Sequence, residues 1–290
     1  WRSTSSSAER SVDDLTGAAA ESPPRDSRPL SVGFVLMPGF TMVAFSGFVD
    51  ALRLAADEGD RSRPLHCRWS VLAEELRPVS ASNGIELMPT ERFRDPAGFD
   101  YLVVVGGLLP GTRRLSPALQ DFLRLAAARA VPLVGLCTGS FVLARAGLMQ
   151  GRRVCVSWFH HQDFLREFPG LRAESHEMFV VDRDRLTCAG GTSVVHLAAW
   201  LIERHCGRAA ASKALRILLE EGALPARTPQ PQPSFAERTD DPRVRQAIWL
   251  MEQNLASPMP LQEVAQSVSM SLRHLERCFR QAIGMGPHEF

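Results

Sequence analysis

The sequence has almost no net charge, no paired-cysteine spacing, no long apolar run and no internal repeat, and each lack removes a class of function. Its formal net charge is +1 over 290 residues, so no global basic field draws it to nucleic acid, and any DNA contact must be local. None of its six cysteines has the CxxC spacing of metal or redox motifs. With no secretory signal these thiols are expected to stay reduced, which fits the cytoplasm. No apolar run approaches the roughly 18 residues of a membrane span, so no membrane partner is expected. Neither a metal nor a cofactor is indicated. The first residue is Trp1 rather than Met, as expected of a chain that lacks its natural start.

What is present suits a globular protein with room for about two domains, 45% of it apolar. Residues 1–29 are rich in Ser, Pro, Arg and acids, with little to bury, and are expected to form a disordered tail. A second composition break covers 223–241, where "ARTPQPQP" alternates prolines that stiffen a chain and forbid helix. It reads as a semi-rigid linker between a body over 30–222 and a small module over 242–290.

Strand and helix signals alternate within the body. "LSVGFVLM" (30–37), "CRWSVLAE" (67–74), "FDYLVVVGGL" (99–108) and "VPLVGL" (131–136) read as strands. Helical spacing occupies 45–59, 116–130 and the stretch after Gly139, with Ser116 and Pro117 supplying a helix start. Near-continuous apolar strands separated by helices predict an α/β fold, a doubly wound and mostly parallel sheet covered on both faces. Ligands bind such sheets where strands end and helices begin. That rule gathers the turn at 38–41, the Gly106–Gly107 pair and Cys137–Thr138.

At Cys137 the chain must turn abruptly, as where an α/β enzyme presents a nucleophile. Helix N-terminal amides there favour a thiolate, and amides near Gly106 and Thr138 could hold an oxyanion. A small cysteine packed beneath a helix is the equally available bland reading. His160, His161 and His196 could assist chemistry, but a lone histidine on an apolar helix is more often simply packed. Glu177 could reach a cationic ligand or just be solvated. Phe40 and Trp158 are either core aromatics or faces for a quaternary ammonium group.

The C-terminal module shows two apolar-faced helices, over 241–257 and 261–268, then a third that Ser271 can cap. The apolar face of the first includes Val244, Ile248, Met251 and Leu255. The third helix buries Leu272, Leu275, Phe279 and Ile283 and offers Arg273, His274, Arg277 and Arg280 on its other side. Two short helices, a tight turn and a basic-faced helix describe a helix-turn-helix.

"GLCTGSFVLARAGLMQGRRVCVSW", "SNG" and "DRDRLTCAGGT" resemble the DJ-1/PfpI superfamily in the form that precedes an AraC-type DNA-binding domain, the GlxA-family transcription regulators. The likeness runs over about 30–290 and looks nearest to regulators answering carnitine, glycine betaine or arginine. It implies a flavodoxin-like sandwich and a cytoplasmic homodimer that binds operator DNA, answers a small-molecule effector and engages RNA polymerase if it is an activator. "LQEVAQSVSMSLRHLERCFRQAIGMGPHEF" resembles the first helix-turn-helix of an AraC-type domain. That match puts Arg273, Glu276 and Arg277 at base edges and Arg280 at a phosphate, with His274 beside them. The sequence ends where the helix joining a second such unit would begin, as expected of a fragment or of a naturally shortened regulator.

Enzymes of the superfamily support the elbow cysteine with an acid and often a histidine, and the matched positions here are Ala44 and Ser157. Relatives usually carry an acidic residue at His196. The resemblance therefore implies a non-catalytic sensor with a remnant nucleophile at Cys137. Its ligand contacts are expected at Phe40, Gly106, Gly107, Cys137, Thr138, Trp158, His160 and Thr192, holding an amine-bearing or quaternary ammonium metabolite. The rival readings are a cysteine-dependent hydrolase or hydratase of the isonitrile-hydratase kind, and a dimerisation scaffold.

Overall fold

The computed structural model describes residues 28–231, 239–255 and 257–290. The tail assigned to 1–29 lies outside these residues except for Arg28 and Pro29. The body opens with β1 (Leu30–Leu36), α1 (Met42–Ala56) and β2 (Cys67–Ala73). Short β3 (Val79–Ser80), β4 (Glu86–Leu87) and β5 (Glu91–Arg92) follow, then β6 (Tyr101–Val105), α2 (Leu109–Thr112) and α3 (Pro117–Ala128). The elbow comprises β7 (Leu133–Leu136) and α4 (Gly139–Arg145). After it come β8 (Arg153–Cys155), α5 (His161–Glu167), β9 (Arg172–Glu174), β10 (Phe179–Asp182) and β11 (Arg185–Cys188). The body closes with α6 (Ser193–Cys206) and α7 (Arg208–Ile217).

Seven strands form one sheet in the order β10-β11-β7-β6-β1-β2-β5. Every pairing in it is parallel except β10 with β11. Side chains of a strand alternate between faces, and that alternation builds two cores. Val32, Phe34 and Leu36 of β1 join Val103 and Val105 of β6 beneath α1 and α6. Val35, Leu102, Val104 and Leu133 point the other way, against α3 and α4. Ser116 caps α3 as expected, its Oγ accepting the Leu119 amide at 3.1 Å, with Pro117 in the first turn.

The module folds as α8 (Pro242–Gln253), α9 (Leu261–Ser267) and α10 (Leu272–Ile283) around Val244, Ile248, Val264, Leu275 and Phe279. Ser271 caps α10 by accepting the His274 amide at 3.3 Å, and Gly284 ends it at φ 81°. Leu255 corrects the expected apolar face. α8 stops at Gln253, so Leu255 falls beyond the helix and is 73% exposed.

Candidate functional site

The loops after β1, β6 and β7 meet at the elbow, and glycine permits the meeting. A Cβ on Gly106 would lie 2.3 Å from the Gly139 nitrogen, and one on Gly107 would lie 2.0 Å from the Gly39 carbonyl oxygen. Backbone bonds join the loops: Thr41 N donates to Gly106 O at 2.9 Å, Gly106 N to Leu136 O at 3.1 Å, and Leu108 N to Gly39 O at 2.9 Å. Within this knot Cys137 is held at φ +55°, a region costly for a residue with a Cβ.

The Cys137 thiol is half-buried, with Thr41 Oγ1 at 3.7 Å from Sγ. Gly190, at φ +97°, presses on it so closely that an added Cβ would lie 3.0 Å from the sulfur. Burial pushes the thiol's pKa up, while the Thr41 hydroxyl and the Thr138 amide pull it down by less. The net direction is opposite to the thiolate expected from the helix terminus, because desolvation outweighs the amides. Behind it lies Cys188, buried, its pKa raised to about 11 by burial against the Cys137 and Gly190 amides.

Several expected ligand contacts are engaged in structure instead. Phe40 is wholly buried and packs edge-on against Phe45, so its ring offers no face to a ligand. The Gly106 amide is committed to Leu136 O, so it is not an oxyanion donor. Thr138 is 1% exposed and its hydroxyl donates to Gly107 O at 2.9 Å. Thr192 is exposed at the start of α6. His160 pairs with Asp163 at 3.2 Å and stands edge-on to Phe141, its pKa lowered chiefly by burial. Glu177 is held by Arg153 at 2.7 Å, so its charge is already matched.

Trp158 lies elsewhere. It lines a cleft of about 230 Å³ between body and module, with His161, His176, Arg245, Gln246 and Trp249. Phe159 meets Trp249 edge-on at the same junction, and its carbonyl accepts Gln253 Nε2 at 2.8 Å. The proline-rich stretch is also not a free spacer in its first part. Leu224 N donates to His196 Nδ1 at 3.2 Å, and Ala226 O accepts the Met178 and Phe179 amides at 3.0 and 3.3 Å. Gln230 then inserts its side chain into the body and is 5% exposed. Its Nε2 donates to Val156 O at 3.0 Å and Glu177 O at 2.8 Å, and its Oε1 accepts the Trp158 amide at 2.9 Å. These residues form a strap along the β10 edge. Nothing in their local sequence marked Gln230; its partners are all distant in the chain.

On α10, Arg273, Glu276, Arg277, Arg280 and Gln281 line one solvent-open groove. His274 is half-buried at the helix start, outside that group.

The DJ-1/PfpI family model matches residues 31–204. The model of bacterial regulatory helix-turn-helix proteins, AraC family, matches residues 251–290. The HTH-type transcriptional regulator GbdR of Pseudomonas aeruginosa is 31% identical over 278 residues, which cover 95% of this chain and 74% of that protein. The chain belongs to the DJ-1/PfpI family, in its AraC-type regulator branch. A second regulator of this branch, GlxA of Rhizobium meliloti, is 27% identical over 90% of this chain and 80% of its own. The crystal structure of an AraC family transcriptional regulator from Pseudomonas putida aligns at TM-score 0.57 and 28% identity, over 66% of this chain and 100% of that one. An enzyme also carries the DJ-1/PfpI body: the isonitrile hydratase of Pseudomonas putida is 32% identical over 61% of this chain and 73% of its own. In this member Ala44 is fully buried in the first turn of α1, one turn after Thr41. Ser157 turns its hydroxyl to the Phe159 amide at 3.3 Å, where it starts a short 3-10 turn.

Proposed function

We propose that this chain is a homodimeric, effector-answering regulator of transcription whose DJ-1/PfpI body performs no catalysis. It binds operator DNA through α10, engages RNA polymerase if it is an activator, and works in the cytoplasm, where the DNA is. The observation that carries the reading is the elbow itself. Its cysteine keeps the strained geometry, but burial holds the thiol protonated, and the positions that match the acid and histidine of the family's enzymes carry Ala44 and Ser157. On this reading, general acid–base transfer has no agent at those two positions.

The effector site proposed is the mouth of the elbow, at Thr41, Cys137 and Thr192. Two contiguous routes lead from it to the strap. The Cys137 amide meets Cys188, whose strand neighbour Phe179 donates to Ala226 O. The Gly190 turn opens α6, whose His196 accepts the Leu224 amide. An occupant that shifts the elbow thus acts on the segment leading to α8. Trp158, the aromatic face expected to hold an amine, faces the cleft and not this mouth, so the screen spans several ligand classes.

Thermal-shift screening of amine-bearing, neutral and anionic metabolites tests the site, since specific binding raises the melting point by mass action. The shift is expected to vanish in Thr41→Ala and survive in Trp158→Ala; the reverse pattern moves the site to the cleft. The 32% identity to an isonitrile hydratase gives the enzyme reading its one support. Isonitrile turnover that disappears in Cys137→Ala would establish that reading over ours.

A further inference from the structure

Two thiols at the opposite end of the sheet from the elbow face each other. Cys67 begins β2 and Cys206 ends α6; they are 139 positions apart in sequence, and their Sγ atoms are 3.6 Å apart. Cys67 is buried and Cys206 is half-exposed, beside Gly207 at φ 87°, where the chain turns into α7. The surroundings are fixed: Leu30 N donates to His66 O at 2.8 Å, and the Tyr101 hydroxyl meets His205 Nε2 at 2.9 Å. The contact between the two sulfurs lowers the Cys206 pKa and raises that of Cys67, and the Lys213 charge pulls Cys67 back in part. A partly exposed thiol of lowered pKa with a resolving thiol in contact is the arrangement that oxidises reversibly rather than irreversibly.

We propose that Cys67 and Cys206 are a reversible disulfide site, oxidised by a hydroperoxide. The Cys206 thiolate attacks the peroxide's terminal oxygen. The O–O bond breaks, an S–O bond forms, and with one proton the leaving oxygen departs as water, or as an alcohol from an organic peroxide. Cys67 then attacks the sulfenic sulfur: the S–S bond forms, the S–O bond breaks, and the hydroxyl leaves as water with the Cys67 proton. With hydrogen peroxide the net change is two thiols to one disulfide and peroxide to two waters. The sulfurs need only close from 3.6 Å to the ~2.05 Å of the bond, within reach of side-chain rotation. The cross-link ties the start of β2 to the end of α6. That helix's other end forms the turn against Cys137, and it holds the strap through His196.

The test is to expose the folded chain to hydrogen peroxide, alkylate the remaining thiols, digest and read the peptides by mass spectrometry. The expected product is one linked pair of peptides carrying Cys67 and Cys206, two hydrogens lighter than the reduced pair and restored by dithiothreitol. Its formation should raise the melting temperature by several degrees, because a loop this long is closed in the unfolded chain. In Cys67→Ser the link should vanish and Cys206 should be trapped as sulfenic acid by dimedone. In Cys206→Ser, checked for an unchanged melting curve, Cys67 should resist peroxide. A wild-type protein whose Cys206 passes to sulfinic acid without a link, or whose links scatter over the other cysteines, overturns the proposal. So does a Cys67 that oxidises as fast in Cys206→Ser.

Discussion

Replacing Gln230 with alanine removes three hydrogen bonds to main chain, and a longer one of 3.8 Å to Cys155 Sγ, at a place that water reaches poorly. The two donated to Val156 O and Glu177 O, and the one accepted from the Trp158 amide, join three separate pieces of backbone. Each lost bond costs about 1 kcal/mol net, and an orphaned, partly buried amide adds about 1–3 kcal/mol unless water enters. Some entry is expected, so a total near 3 kcal/mol is reasonable, equivalent to about a hundredfold rise in the opening constant of the strap. Hydrogen exchange reads it directly: the Trp158 amide, and the Met178 and Phe179 amides that bond Ala226 O, should lose protection together. The global melting temperature should fall less, because the strap can detach while the sheet stays folded. Gln230→Glu keeps the length but sets a buried carboxylate oxygen against two carbonyls, and it should open the strap at least as far. Unchanged exchange at those amides in both variants would refute the claim that Gln230 anchors the strap.

Arg277→Ala should relax base preference at one operator position by about 1–3 kcal/mol, whereas Arg280→Ala should weaken binding to every sequence and flatten its salt dependence. Gel shifts on operator and scrambled DNA at two salt concentrations separate the two; equal losses on both DNAs for Arg277→Ala would mean that it does not read bases. Gly106→Ala should cost at least about 3 kcal/mol and yield little folded protein, since its Cβ would meet backbone at 2.3–2.4 Å with nothing flexible to give way; a normal melting curve would disprove the knot. Stability should fall with acid through the histidines. Burial lowers the pKa of His160, His161 and His196 below the ordinary 6.5. The unfolded chain therefore takes up protons first, and stability present above pH 6.5 is lost as pH drops toward the folded values. Melting at pH 7.5 and 5.5 checks the sign. His196→Asn, which can still accept the Leu224 amide, should shrink the difference.

The strands and helices that carry their pattern locally were legible in the sequence. β1, β6 and β7 read as apolar runs because both their faces are buried, and Ser116 and Ser271 announced their helices by capping chemistry. The elbow was legible as a strand stopping at a residue followed by glycine and a helix. What could not be read is what depends on distant partners. β8 and β9 are three residues each and exist because each pairs with the other. Phe40 follows a glycine turn, and its neighbours in sequence cannot say whether the ring points to a pocket or, as found, to Phe45. The prolines near Gln230 correctly excluded helix, but a lack of helix does not distinguish a spacer from a docked segment. The sign of the Cys137 shift also turned on burial, which a strand–turn–helix pattern does not report.

The knot at the elbow is made of main chain. Gly106, Gly107 and Gly139 lie against one another or against neighbouring carbonyls and amides without an intervening side chain. The left-handed backbone at Cys137 is consequently fixed by its surroundings and not by anything its thiol does. A lineage can change every side chain on the rim, and with it the chemistry, while the strained turn is inherited unaltered. If the body is non-catalytic, as proposed, installing catalysis on this chain would be a matter of rim side chains at positions such as Ala44 and Ser157, with no new loop geometry to invent.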